Sequence, residues 1–281
     1  LTLNKNDWLW TSPTSFVASA NCALYCGAKV DFVDINPLTG LISIEHLEDK
    51  LKKASILGKI PKILIVVHLA GTSCDMKSIK TLSNKYDFHV IEDASHALGG
   101  KYFDKYVGNC AYSTMTVFSL HPEKIITTGE WRFITTNDKD LARKIYDLRS
   151  HGIVKDKSRF LQVPNGPWNY EQQELGHNYR MTDIQAALGL SQLKRLDDIV
   201  KRRNDILKVY KKLIHDLPLY FLSIPPNTYS SVHLAVINLE KPNKELHLKI
   251  FNYLKFHNIG VQIHYIPIHL QPFYKRFGFK K

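Results

Sequence analysis

Apolar and polar positions fall into short, regular blocks along most of the chain. Residues 9–12 are extended, and residues 14–27 carry apolar positions at helical spacing between a polar N-cap and a closing glycine. Residues 30–35 read as a strand and 43–54 as an amphipathic helix. Residues 62–69 form a continuous β-branched run, the pattern of a strand buried on both faces. A helix over 76–86, strands over 88–92, 113–120 and 132–136, and a helix over 139–148 continue the series. Strands alternating with helices at this spacing predict an α/β fold: a mostly parallel central sheet with helices on both faces.

The periodicity lapses between residues 150 and 180, where Gly, Pro, Asn and aromatic residues replace it. A loop of that length inside a compact domain is usually functional. Residues 183–217 predict one long helix that leaves the large domain near Asp197. A strand over 232–239, a helix over 244–257 and a strand over 261–264 then predict a smaller α+β domain. The expected division is 1–197 and 198–281.

Composition adds exclusions. At 281 residues, 44% apolar and 23% charged, the chain can bury a full core. No run approaches the roughly eighteen apolar residues of a membrane span, so a cytoplasmic protein without membrane attachment is expected. Cys22 and Cys26 share a helix face, and Cys74 and Cys110 stand alone, as reduced packing thiols do. The net charge of +12 is spread along helices, and no nucleic-acid-binding motif accompanies it. A basic proteome background or an anionic small substrate explains the excess at least as well, so no nucleic-acid partner is expected.

Two strand ends carry the candidate chemistry. His89-Val-Ile-Glu-Asp93 ends in acids, and the strand over 113–120 runs into a polar turn holding Lys124. In parallel sheets such groups gather at the carboxyl ends of the strands. A lysine amine that forms a Schiff base, with a carboxylate that keeps a pyridine nitrogen protonated, is what a pyridoxal phosphate enzyme requires. His264 and His269, five residues apart across a proline, have no acid or third histidine in register, so no metal site is expected.

Glu92-Asp-Ala-Ser-His-Ala-Leu-Gly99, Phe118-Ser-Leu-His-Pro-Glu-Lys124, Thr127-Thr-Gly-Glu130, Leu175-Gly-His-Asn-Tyr-Arg-Met-Thr-Asp183 and Tyr265-Ile-Pro-Ile-His-Leu-Gln-Pro272 resemble the DegT/StrS family of sugar aminotransferases. The resemblance implies the type I fold of pyridoxal phosphate enzymes and a homodimer with shared active sites. Lys124 would be the Schiff-base lysine and the proton carrier, and Asp93 the partner of the pyridinium nitrogen. His96 would lie near the ring and its phenolic oxygen, Phe16 would stack on the ring face, and Ser119 would bind the phosphate. Asn178 would reach the neighbouring subunit's cofactor, and His264, Tyr265 and His269 would line the sugar pocket. On spacing alone Phe16 reads more readily as core, and Asn178 and Arg180 could simply cap the helix that begins near Thr182. The His-Pro before the lysine and Trp168-Asn-Tyr-Glu-Gln-Gln-Glu-Leu175 are most similar to members acting in the pseudaminic acid pathway. Those aminate C4 of a UDP-linked 4-keto-6-deoxy-N-acetyl hexose with glutamate as donor. Relatives that are dehydratases replace the lysine with histidine, and Lys124 is present.

Two departures from the family pattern stand out. The family's Gly-Thr phosphate turn before the position of Leu1, and its last C-terminal elements, lie outside this sequence, which reads as a piece of a longer plan. Trp131-Arg132 also stands where the family carries two glycines. If either position needed a positive φ, strain of roughly 1–3 kcal/mol would follow, giving an alternative reading: a truncated or degenerate homologue that acts as a non-catalytic partner.

Overall fold

The structure, a computed structural model, describes residues 1–279. Six strands form the central sheet: β1 (Trp8–Thr11), β2 (Lys29–Phe32), β3 (Ile63–Val67), β4 (His89–Asp93), β5 (Met115–Ser119) and β6 (Arg132–Thr135), in the order β2-β1-β3-β4-β5-β6. Neighbours run parallel except β5 and β6, which pair antiparallel. Parallel neighbours need long crossovers. Helices α1 (Ala18–Tyr25), α2 (Ile44–Ile56) and α3 (Met76–Tyr86) supply three of them, residues 94–114 make the fourth without a helix, and α4 (Lys139–Leu148) follows β6.

Both faces of the sheet are covered, as the β-branched run predicts: all five residues of β3 are buried. On one face Trp10, Leu64, Val66 and Val90 pack against Leu47 and Leu51 of α2 and Met76 and Ile79 of α3. On the other, Leu9, Val30, Ile63 and Ile65 meet Ala20 and Ala23 of α1, with Ile268 and Tyr274 from the far end of the chain. The caps of α2 and α3 follow the sequence. Ser43 Oγ accepts from His46 N–H, and Asp75 Oδ1 accepts from Ser78 N–H. The chain leaves β1 to one side for β2 and then crosses to β3 on the other. That reversal is where α/β sheets open a crevice at their carboxyl ends.

Four expected elements differ. The helix expected over 14–27 starts only at Ala18, and its N-cap residue, Val17, has no side-chain acceptor to cap it. Pro13 C=O accepts from Ile268 N–H, and Ser15 Oγ meets Ser19 Oγ at 3.1 Å. The long helix over 183–217 is two helices, α5 (Asp183–Leu193) and α6 (Leu196–Leu213), broken at Lys194-Arg195. Only Ile237–Leu239 of the strand over 232–239 is extended pairing, against Leu219–Phe221. Val232 has φ +50°, and the backbone N–H groups of Ser231 and His233 go to Gly71 and Ala70 oxygens. Residues 261–264 pair with no strand. The expected helix over 244–257 is present at Lys244–Phe256.

Candidate active site

Asp93 is the last residue of β4, and its carboxylate is fixed before any ligand arrives. Oδ1 accepts from Ser95 N–H (3.1 Å) and Ser95 Oγ (2.6 Å), and Oδ2 accepts from Ser19 Oγ (2.6 Å). A carboxylate offers roughly four acceptor sites, so one remains on Oδ2 for a cationic N–H. The short α1 explains part of this: its late start places Ser19 in the first turn, facing the sheet end.

Lys124 sits in the turn after β5. Its N–H donates to His121 C=O (2.9 Å), and the buried Ile125 and Ile126 anchor the turn on its far side. Gln192 of α5 clamps the following residues, accepting from Thr127 N–H and donating to Thr127 C=O. The amine itself has no ion pair among the described residues. Burial lowers its pKa, Asp93 and Glu123 oppose that shift, and the Arg132 charge adds to it. A half-buried lysine in this state releases a proton more readily than a surface lysine.

Three imidazoles and a phenol cluster together, and the imidazoles lie within reach of the Lys124 charge. His96 is 6% exposed, and its Nδ1 is buried with no partner. Its Nε2 lies 3.4 Å from the Tyr265 hydroxyl. Burial, reinforced by the positive charges of Lys124 and His264, pushes its pKa down to about 3. His233 packs on it with ring centroids 4.4 Å apart, also has an unpartnered Nδ1, and is pushed down to about 2 by burial and by His96. His264 is lowered by burial, and Tyr265 is raised to about 12 by burial and by Asp93. At neutral pH the wall of the site is therefore made of neutral imidazoles and a phenol able to donate.

The structure thus brings together Lys124, Asp93, His96, His264 and Tyr265. Ser119 is buried at the end of β5, its Oγ accepting from His121 N–H at 3.4 Å. Phe16 is 58% exposed, which overturns the reading of it as core. Asn178 is exposed on the long loop, bridged to Ser150, and Thr182 takes the cap of α5 with Gln185 in a capping box. His269 packs against Phe32 (centroids 6.0 Å), and no contact ties it to the lysine cluster.

His233 escaped the sequence reading because its segment looks like a strand. In the structure that segment is bolted down instead. Ser231 Oγ donates to His96 C=O (2.7 Å), Arg203 donates to Val232 C=O, and Asn204 donates to Ser230 C=O. The only sequence signal was the Ser-Ser pair before an apolar stretch.

The strain expected if Trp131 or Arg132 had a positive φ does not arise. Neither residue has a positive φ; Gly129 does, at +89°. Trp131 packs with Leu120, Ile125 and Ile126, and its C=O accepts from Leu120 N–H at 2.7 Å, while Arg132 opens β6. With the backbone in ordinary conformations, the steric case for a degenerate site falls away.

The whole chain, residues 1–281, matches the DegT/DnrJ/EryC1/StrS aminotransferase family, and the protein belongs to it. It is 41% identical over 275 residues to a UDP-4-amino-4,6-dideoxy-N-acetyl-beta-L-altrosamine transaminase of Campylobacter jejuni, covering 97% of this chain and 69% of that one. Among solved structures it superposes on Helicobacter pylori PseC, an aminotransferase involved in the biosynthesis of pseudoaminic acid. The TM-score is 0.80 and the identity 32%, over 96% of this chain and 68% of that one. The PLP form of the putative sugar aminotransferase Spr1654 of Streptococcus pneumoniae gives a TM-score of 0.86 at 26% identity, over 99% and 72%. Membership makes the chain a sugar aminotransferase by family, and pyridoxal phosphate is the cofactor that implies.

The residues present fit that cofactor. They offer an anion with a free acceptor site, an unpaired amine with lowered pKa, and a buried imidazole with an unsatisfied nitrogen.

Proposed function

We propose that the protein transfers an amino group from glutamate to C4 of a UDP-linked 4-keto-6-deoxy-N-acetyl hexose, in nucleotide-sugar biosynthesis of the pseudaminic acid type. The observation that carries this reading is the convergence of Asp93 and the unpaired Lys124 amine at the carboxyl ends of β4 and β5. The likeness to relatives bearing that activity in their names supports the sugar.

Pyridoxal phosphate, when bound, supplies the electron sink that lets a C–H bond next to nitrogen ionise. Lys124 would hold the cofactor, and its unpaired amine is the group placed to take up and release a proton. Its lowered pKa leaves more free amine at neutral pH, as a general base requires. Asp93, oriented by Ser19 and Ser95, would hold a pyridine nitrogen in its protonated form. Tyr265 and His96 supply neutral hydrogen-bonding groups beside the ring, so they add no cation that would compete for Asp93. Phe16 supplies an exposed aromatic face for stacking, and Ser119 a hydroxyl for the phosphate. His264, Tyr265 and His269 are read as the sugar side of the pocket.

The same reading includes a cytoplasmic homodimer, with Asn178 serving the partner's site. Its support is apolar exposure on α5 and the long loop: Ile184 is 84% exposed and Leu175 88%. Residues 1–197 are read as the cofactor-binding part and 198–281 as the smaller part, since the six-stranded sheet ends before Asp197. Among the described residues no helix is long and apolar enough to cross a membrane.

The test is visible absorbance of the protein with added pyridoxal phosphate, then borohydride reduction and peptide mapping. A reduced cofactor on the Lys124 peptide, and conversion to the amine form of the cofactor by glutamate, are the expected results. A folded protein that gives no absorbance band and no labelled peptide would refute the reading.

A further inference from the structure

Trp131 and Arg132 replace the same pair of family glycines, yet they end in opposite environments. Trp131 is packed; Arg132 is exposed and has no ion pair among the described residues. The β5–β6 ladder fixes where it points. Ser119 is the register partner of Arg132, and Phe118 is the partner of Phe133. Directly opposed residues on antiparallel strands share a face, and their neighbours take the other face. The Phe118 and Phe133 rings stack 4.7 Å apart at 16° on the buried side, so a one-residue slip would pull Phe133 out of its cluster. Arg132 and Ser119 are thereby held together on the opposite face, just ahead of the Lys124 turn. The Arg132 charge also bears on the Lys124 amine, lowering its pKa alongside burial.

We propose that Arg132 and Ser119 together form a subsite for a phosphate monoester, the one carried by the cofactor, with Arg132 a phosphate ligand the family pattern lacks. A guanidinium presents paired N–H donors that match phosphate oxygens, and the Ser119 hydroxyl donates to none of the described residues. This rests on the cofactor reading above and extends it to a residue peculiar to this chain.

Pyridoxal 5'-phosphate, pyridoxal, inorganic phosphate and UDP are titrated against the wild-type protein, Arg132→Gly and Arg132→Gln, by calorimetry. Circular dichroism checks that each variant is folded. Arg132→Gly restores the family residue, and Arg132→Gln keeps the stem and removes the charge. Both are expected to weaken pyridoxal 5'-phosphate and inorganic phosphate roughly tenfold or more, with pyridoxal and UDP unchanged. Wild-type affinity for pyridoxal 5'-phosphate in either folded variant overturns the proposal. So does a loss confined to UDP, which would assign Arg132 to the nucleotide. A wild-type protein that binds none of the phosphates sinks the cofactor reading itself, which separates the two failures.

Discussion

His68 and His96 follow neighbouring strands of one sheet, and both are buried, at 0% and 6% exposure. Their hydrogen-bonding states are opposite. His68 Nδ1 accepts from Cys74 N–H at 3.2 Å, which fixes the proton on Nε2, and Nε2 donates to Glu92 Oε2 at 2.7 Å. Glu92 Oε1 accepts from Ser113 Oγ and from Thr116 Oγ1 (2.9 Å), so every atom of that network is used. Burial works against the Glu92 carboxylate, but these donors hold its pKa below the ordinary range. His96, one strand away, has a buried nitrogen with no partner and a second one only loosely engaged. A saturated buried network stabilises the fold, whereas an unsatisfied one is held in place for something that binds. Glu92 and Asp93, adjacent in sequence, fall on opposite sides of that division.

The largest expected effect lies on the saturated side. Glu92→Ala strands the His68 N–H and two hydroxyls together, so urea unfolding is expected to show a loss of about 3–4 kcal/mol. A loss under about 1 kcal/mol would mean that the network is not the structural member it is taken to be.

The acid limb of stability belongs to the other side. His96 and His233 have folded pKa values of about 3 and about 2, well below the ordinary 6.5. Below about pH 6.5 the unfolded chain takes up protons that the folded chain refuses, so stability falls as pH falls through the window down to about 3. Each group contributes at most about 1.4 kcal/mol per pH unit. Unfolding free energies at pH 6.5 and 5 should therefore differ by roughly 2–4 kcal/mol, and a flat profile would show that the pair is not held neutral in the folded state.

A smaller effect sharpens the protonation of His68. Against the lowering effect of burial, Cys74 and Glu92 raise the His68 pKa to about 10, yet the Cys74 N–H aimed at Nδ1 leaves no place there for a second proton. With the proton on Nε2 and the ring neutral, Glu92→Gln can turn its carbonyl to His68 and its amide to the hydroxyls of Ser113 and Thr116. Only about 1 kcal/mol should be lost. A loss above about 3 kcal/mol would instead reveal a buried ion pair that the amide cannot replace.

Much of this was legible in the sequence, and the limits have physical causes. The sheet, its parallel sense and the faces of α2 and α3 follow from β-branched runs and helical spacing, which are local signals. Asp93 and Lys124 were visible because strand ends are where such sheets gather chemistry. His233 was not visible: its position depends on Ser231, Arg203 and Asn204 drawing an apparent strand across to His96, contacts made across more than a hundred residues in the case of Ser231. The break at Lys194-Arg195 carries no proline or glycine to announce it. Trp131-Arg132 was legible as a departure but misjudged as strain, because the sequence alone does not show that only Gly129 needs the left-handed region.

The smallest stability effect is the most informative about the comparison. His96→Gln replaces an imidazole whose buried Nδ1 already lacks a partner, with a side chain that can still offer a polar group toward Tyr265. No satisfied hydrogen bond is broken beyond the long 3.4 Å contact, so the change in unfolding free energy should stay below about 1 kcal/mol. The acid limb should shrink by about half, because one of the two proton-refusing groups is gone. If His96 is held for a ligand, pyridoxal phosphate affinity measured by titration should change even though stability does not. A variant that loses several kcal/mol with its cofactor affinity intact would place His96 beside His68, as a structural residue, and dissolve the distinction between the two sides of β4.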